Sequence, residues 1–229
     1  MPSKKLDWLN TDERFVAFFD ILGFKDLVNR NSHADVLKKL KALKDKLSDL
    51  QKKTELPLLK ADEINQNQTR SVTFSDSIIL FSNGASILDA KKIIYDSYFI
   101  LRTAIINKIA IKGAISFGEI TVDFDNNLFF GQPIIDSYLL HEELEMINVV
   151  IDNYAEVRIS NLKGNEEINK VLIDYKVPMK FGKAKHKLLR PSNSSIIKMR
   201  IIQMEKMYST TSGKPRRYID NTLEFLHSL

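Results

Sequence analysis

The nine residues VAFFDILGF, at positions 16–24, constrain this chain more than any other stretch. Seven of them are apolar or aromatic, so the run reads as a buried strand whose exit is punctuated by Gly23. Asp20 sits in the middle of it. An ionised carboxylate inside a core costs several kcal/mol unless a cation or a set of hydrogen-bond donors compensates it. The strand predicted from Arg14 to Gly23 therefore carries an acid that needs a reason, and a helix is expected after it.

With 229 residues, 44% of them hydrophobic, the chain can build one large domain around a sizeable core. The 28% of charged residues and the low count of 8 Gly and 6 Pro describe a soluble globular protein rather than a disordered one. No apolar run reaches the roughly 18 to 20 residues that span a bilayer. The opening MPSKKLDWLNTDERF also lacks the apolar segment of a signal peptide, so a cytoplasmic chain with no membrane partner is expected. The absence of cysteine excludes disulfides and thiolate metal sites, leaving oxygen and nitrogen ligands for any metal. A net charge of +5 suits a polyanionic partner, but lysines spread along VLKKLKALKDKLSDLQKK describe a solvated helix face, and no nucleic acid is expected.

From His33 to Lys53, Val36, Leu37, Leu40, Leu43, Leu47 and Leu50 recur at three- and four-residue steps, which predicts one amphipathic helix. TELPLLKADEINQNQ then reads as a polar connector. RSVTFSDSIILFSNG has two β-rich runs around Ser75, Asp76 and Ser77, a tight hairpin with an acid at its tip. Residues 86–108 predict a second helix buried through Ile87, Ile93, Ile94, Tyr98, Leu101 and Ile105. In the strand that follows, Ile109, Ile111, Ile115 and Phe117 share one face and Ala110, Lys112, Ala114, Ser116 and Gly118 the other, a face that something else can approach closely. LFFG reads as a short strand, QPIIDSYLLHEELEMI as a helix with Pro133 in its first turn, and NVVID as a strand. The order predicts an α+β fold on a β-α-β-β-α-β core. Past about residue 160 the pattern loosens: KFGKAKHKLLRP reads as a solvated basic loop, IIKMRIIQM as a strand and NTLEFLHSL as a terminal helix.

In such a sheet the first strand lies beside the hairpin, so Asp20 and Asp76 can reach one edge. A pair of carboxylates suits Mg2+ or Mn2+, which take oxygen ligands and share them with substrate phosphates. An Asp before a helix is also a good N-cap and an Asp in a hairpin tip is ordinary turn chemistry, so spacing alone leaves both roles open. No Ser-His-Asp arrangement is indicated, and the four histidines, at 33, 141, 186 and 227, lack metal-ligand spacing; His141 reads as a surface or cap residue.

Four stretches fall in the order found in class III nucleotidyl cyclases. FFDILGF resembles their first metal-binding strand, FSDSIIL the second metal-binding hairpin, IKGAISFGEI the Arg-x-Gly-Ile-x-x-Gly strand, and FFGQPIIDSYLLHE the helix start after it. The resemblance covers about residues 14–150. It implies a ferredoxin-like fold, an antiparallel sheet with helices on one face, in which residues 14–160 form the cyclase-like core and 161–229 complete the same domain as a C-terminal extension. It assigns Asp20, Asp76 and the Ile21 backbone carbonyl to two divalent ions, Mn2+ or Mg2+, and the backbone of Leu22, Gly23 and Phe24 to phosphate. The implied reaction joins the 3′-hydroxyl of a nucleoside triphosphate to its own α-phosphate, releasing pyrophosphate. It also implies a homodimer with active sites at the interface, which would account for the small-residue face of the 109–118 strand.

The departures are as informative. The positions that read adenine in this family hold Val72 and Leu128, neither of which can hydrogen-bond a base edge. The transition-state Asn and Arg positions hold Ile135 and Leu139, and Glu119 replaces a further Arg. Lys112, Arg70, Lys198 and Arg200 are the candidate cations for the triphosphate, Lys112 first because it stands among small residues. Intact metal acids with missing purine readers resemble the small bacterial pyrimidine cyclases of the Pycsar antiphage systems. That resemblance implies UTP, or else CTP, as substrate and a separate cyclic-nucleotide effector as functional partner. The alternatives are a purine cyclase with atypical base contacts and a catalytically silent nucleotide-binding module of the same fold. A basic nucleic-acid-binding domain is weaker, because it leaves both acids unexplained.

Overall fold

A computed structural model describes residues 8–49, 69–209 and 211–229, without the side chains of 44–49. The strand carrying Asp20 is β1 (Thr11–Ile21), and its alternation sorts the run into two faces. Phe15, Ala17, Phe19 and Ile21 are all buried in the main core, while Val16 joins a second, smaller one and Phe18 and Asp20 lie beyond it on that same face. Two helices follow, α1 (Phe24–Arg30) and α2 (His33–Asp49), then the hairpin of β2 (Arg70–Phe74) and β3 (Ser77–Phe81). Next come α3 (Ile87–Ile106), β4 (Ile111–Asp123), β5 (Leu128–Gly131), α4 (Gln132–Glu143) and β6 (Val149–Ile151). The last third holds α5 (Asn153–Ser160), α6 (Glu166–Val171), β7 (Leu172–Met179), β8 (Gly182–Leu189), α7 (Ser194–Tyr208) and α8 (Arg216–His227).

The strands form one eight-stranded sheet in the order β2-β3-β1-β4-β6-β8-β7, with β5 paired to β4. The expected β-α-β-β-α-β core is present in order, in an α+β fold. Two features go beyond that expectation. β6 pairs parallel to β4, as the α4 crossover between them allows, and β7 and β8 carry the same sheet outwards from β6. The helices also lie on both faces: α3 covers the Phe15 face of β1, while α4 covers the Phe18 face, where the Phe18 ring meets Tyr138 at 5.5 Å and His141 at 4.7 Å.

This placement of α4 corrects the reading of the small-residue face. A Cβ on Gly118 would stand 3.3 Å from Pro133 Cγ, so the small side chains of β4 admit a helix of the same chain rather than a second copy. In α2, Val36 and Leu43 are buried as expected but Leu37 is exposed; Leu47, Leu50 and the connector up to residue 68 lie outside the described side chains. The stripe expected on α3 is too narrow. Fifteen of its 20 residues are buried, because it sits between the sheet, α2 and α7. Its start is a capping box in which the Ser86 hydroxyl accepts from the Asp89 amide and Asp89 accepts from the Ser86 amide at 3.0 Å.

The tail departs most. IIKMRIIQM, read as a strand from its β-branched residues, is the body of α7. The Asn193 side chain caps that helix by accepting from the Ile196 amide at 3.0 Å, and Arg200, Met204 and Met207 are buried at helical spacing, so capping and packing override local β preference. KFGKAKHKLLRP is β8 rather than a loop, with its lysines alternating against Ala184 and Leu188. Among the described residues no helix is long and apolar enough to cross a membrane.

Candidate functional site

The register of β1 places Asp20 between Ser77 of β3 and Lys112 of β4. Since Asp76 immediately precedes Ser77, the two acids share one edge of the sheet, and the Ile21 amide donates to the Asp76 carbonyl at 3.1 Å to fix the hairpin tip against the end of β1. Ser75, the other turn residue, takes a left-handed φ of 54°, which closes the hairpin tightly. Beyond Ile21 the chain turns: the Leu22 amide donates to the Ala110 carbonyl at 2.9 Å, and Gly23, at φ 71°, starts α1. The side chains of Leu22 and Phe24 pack against the main core and that of Ile21 is buried within it, so this turn offers backbone rather than side chains.

Asp20 is an uncomfortable acid. Burial and the neighbouring Asp76 carboxylate push it up to about 6, against the pull of Lys112. Lys112 is buried, and its ammonium is already engaged, donating to the Glu142 and Leu144 carbonyls at 3.3 Å each, where it caps the C-terminal end of α4. It also lies 5.5 Å from the centre of the Tyr218 ring of α8. Among the described residues no group donates a hydrogen bond to the Asp20 carboxylate. The site is therefore a carboxylate pair whose negative charge the protein itself leaves partly uncompensated. This donor set fits a hard divalent cation that brings its remaining oxygen ligands from water or phosphate, and no cluster of three or more His, Asp or Glu able to hold a metal occurs among the described residues.

The other expected residues scatter. Lys112, expected first among the cations for the triphosphate, donates to helix carbonyls of its own chain in this structure. Arg70 lies 4.2 Å from the Trp8 ring and 5.4 Å from that of Phe124, and Arg200 is buried against Tyr98. Val72 packs in a satellite core with Trp8, Ile79, Phe124 and Phe129. Leu128 pairs with Asp123, the far end of a β4 strand that starts at Ile111 beside the acids, so roughly 40 Å of strand separates Leu128 from Asp20 within one chain. Ile135 and Leu139 are half exposed on the outer side of α4, with Tyr138 between them. His141 is buried between Phe18 and Tyr138 rather than on the surface, and burial together with Lys112 pushes it down to about 4, so it is a neutral ring.

Two cations were missed by sequence reasoning. A cavity of about 450 Å3 opens beside the turn, lined by Leu22, Gly23, Arg30, Lys214 and Tyr218 among others. Arg30 could have been found, since it lies two turns along the helix that Gly23 starts; nothing in the sequence marks Lys214.

No family model matches the chain, and neither does any curated protein. Solved structures do. The catalytic core of a rhodopsin-guanylyl cyclase with converted specificity, in complex with ATPαS, superposes with a TM-score of 0.55 at 14% identity, covering 78% of this chain and 96% of that one. The chain has the fold of a class III nucleotidyl cyclase catalytic domain. The guanylate cyclase domain from Catenaria anguillulae in complex with GTP gives a TM-score of 0.56 at 14% identity over 81% of this chain and 100% of that one. A dimeric guanylyl cyclase domain from Blastocladiella emersonii gives 0.55 at 14%, over 79% and 98%. On this cyclase fold, the end of the sheet bearing Asp20 and Asp76 is the candidate site.

Proposed function

We propose that this chain is a nucleotidyl cyclase that converts a pyrimidine nucleoside triphosphate, UTP before CTP, into its 3′,5′-cyclic monophosphate and pyrophosphate. The observation that carries the reading is the strand register, which brings Asp20 and Asp76 to one sheet edge beside the Gly23 turn. The cyclase fold, with relatives solved bound to GTP and ATPαS, supports it. Asp20, Asp76 and the Ile21 carbonyl would hold divalent ions, Mn2+ or Mg2+. Once bound, these would supply charge neutralisation at the reacting phosphate and a lowered pKa for the attacking hydroxyl. The chain's own part is to present the two carboxylates rigidly, to turn backbone amides of Leu22 to Phe24 towards phosphate, and to set Arg30 and Lys214 around the cavity that would receive the polyphosphate end.

The pyrimidine preference is supported by the side chains at the base-reading positions, Val72 and Leu128, which offer apolar surface and no hydrogen bonds to discriminate a purine edge. Because Leu128 stands at the far end of β4 from the acids, a complete site needs a second copy, and the outward Ile135, Tyr138 and Leu139 of α4 give that copy an apolar surface. The reading as a defence enzyme that signals to a separate cyclic-nucleotide effector rests on the same sequence likeness and stands with it.

Incubation of the purified chain with each of the four nucleoside triphosphates and Mn2+ tests this directly. Cyclic product from UTP or CTP alone is expected; product from ATP or GTP alone would replace the pyrimidine reading by the purine one, and no product from any would leave a silent nucleotide-binding module.

A further inference from the structure

The basic run KFGKAKHKLLRP takes no part in the Asp20 site. A loop would scatter its charges, but β8 orders them: alternation sends Lys183, Lys185 and Lys187 to one face and Ala184, His186 and Leu188 to the other. The register adds Lys176 of β7 to the lysine face, directly opposite Lys185, and Asp174 opposite Lys187. The other face of this two-stranded ribbon is packed, since Val177 and Leu188 are buried and the Tyr175 ring meets that of Phe225 on α8 at 5.0 Å. The lysine face is open, with Lys176, Lys183 and Lys185 all exposed.

Two of these cations stand against local preference. Like charges directly opposite each other destabilise an antiparallel pair, and among the described residues neither Lys176 nor Lys185 has an anionic partner. Lys183 and Lys187 have partners only in solvent-facing pairs, with Glu224 at 3.2 Å and Asp174 at 3.1 Å, which a stronger anion displaces at little cost. The turn of the ribbon adds an aromatic ring: Phe181 is 70% exposed, two residues before Lys183. That turn is held in place. The Lys180 amide donates to the Glu143 carbonyl at 2.9 Å and the Glu145 amide to the Pro178 carbonyl at 3.0 Å, which pins the tip to the end of α4.

We propose that this face binds single-stranded nucleic acid, with phosphates along Lys183, Lys185, Lys187 and Lys176 and one base on the Phe181 ring. Strand residues two apart are separated by about 6.6 Å, of the order of one backbone step of an extended polynucleotide, so the row meets consecutive phosphates. An aromatic ring at the end of a cationic row suits a base, whose face stacks whatever its identity. The net charge of +5 favours the encounter. A lipid surface is the poorer fit, because Phe181 is the one large apolar side chain that the ribbon exposes, and a single apolar anchor beside few cations binds membranes only marginally. The face shares no residue with the Asp20 site, and the proposal is independent of the cyclase reading.

Fluorescence anisotropy of the full chain with labelled oligo(dT) and with a labelled RNA of mixed sequence, at rising KCl, tests it. Saturable binding to both is expected, with log affinity falling against log salt at a slope of about −2 to −3, as for three to four phosphates contacted. Lys185→Glu gives Lys176 an opposite charge to face, so its Tm should be kept or raised while affinity falls about tenfold and the salt slope becomes shallower. Phe181→Ala should weaken binding about tenfold with the slope unchanged. Lys38→Glu, the same change of net charge on the exposed side of α2, should leave binding as it is. No saturable binding, binding undiminished by Lys185→Glu, or an equal loss in Lys38→Glu overturns the proposal. Tighter binding to the duplex of the same oligonucleotide, or to phosphatidylserine vesicles, overturns it too and reassigns the face to that partner.

Discussion

Asp20 and Asp152 are two acids withdrawn from water at the ends of neighbouring parts of one sheet, and burial raises both above the ordinary carboxylate range. Their surroundings differ. Asp152, just past β6, accepts from the Ser116 hydroxyl and from the Ala155 amide at 2.7 Å, and so caps α5. Asp20 accepts no hydrogen bond from any described group and faces another carboxylate across the hairpin. Burial alone does not separate the two acids; the donors do. Asp152 has its compensation built in, whereas Asp20 has no hydrogen-bond donor among the described residues.

The sharpest way to break this contrast is to remove each charge. Asp20→Asn and Asp76→Asn should each lower cyclase turnover by about 1,000-fold or more while the chain stays folded, since most of the barrier reduction depends on the charge the acids gather; turnover surviving in either variant sinks the two-acid assignment. Asp152→Ala should do the reverse, costing about 1–3 kcal/mol in chemical denaturation through the lost cap and the unpartnered Ser116 hydroxyl, with the base preference of the reaction unchanged.

A pH series sharpens the same comparison. Asp20, raised from 3.8 to about 6, contributes stability below about 3.8 that is lost as pH rises through 6. His141, lowered from 6.5 to about 4, contributes stability above about 6.5 that is lost as pH falls through 4. The two slopes oppose each other in one window. Asp20→Asn should therefore make Tm fall more steeply between pH 6 and 4 than in the wild type, and His141→Gln less steeply, by about 1–2 kcal/mol each. Equal slopes in the two variants would contradict both assignments. The smallest effect expected is that of Lys112→Met. Removing the ammonium raises Asp20 further, so the acid limb of the pH-rate profile should move upwards by about half a unit, with denaturation showing the separate cost of the uncapped α4 carbonyls.

The acids were legible because the apolar run around Asp20 and the Ser75–Asp76 hairpin are local patterns, and a register follows once two such strands must pair. The faces of β4 were legible for the same reason, but what covers them was not. Ala114, Ser116 and Gly118 announce a close approach without saying whether the visitor is α4 or another molecule. α7 was misread because its isoleucines favour strands taken one at a time, while its helical state depends on the Asn193 cap and on burial against α3, a contact about a hundred residues away in sequence. Lys112 was picked out correctly as unusual, yet its partners are carbonyls, which carry no signature in a sequence.

The hairpin that carries Asp76 has one further consequence. Asp20 ends a strand bonded on both sides, by β3 and by β4, whereas Asp76 hangs between β3 and β2, and β2 is the outermost strand of the sheet, with four of its five residues exposed. The two acids thus differ in stiffness: one is mounted on the frame of the molecule and the other on a short spring. The gap between them is set by how firmly β2 holds to β3, and amide exchange along Arg70–Phe74 is the measurement that reads the tension in that spring.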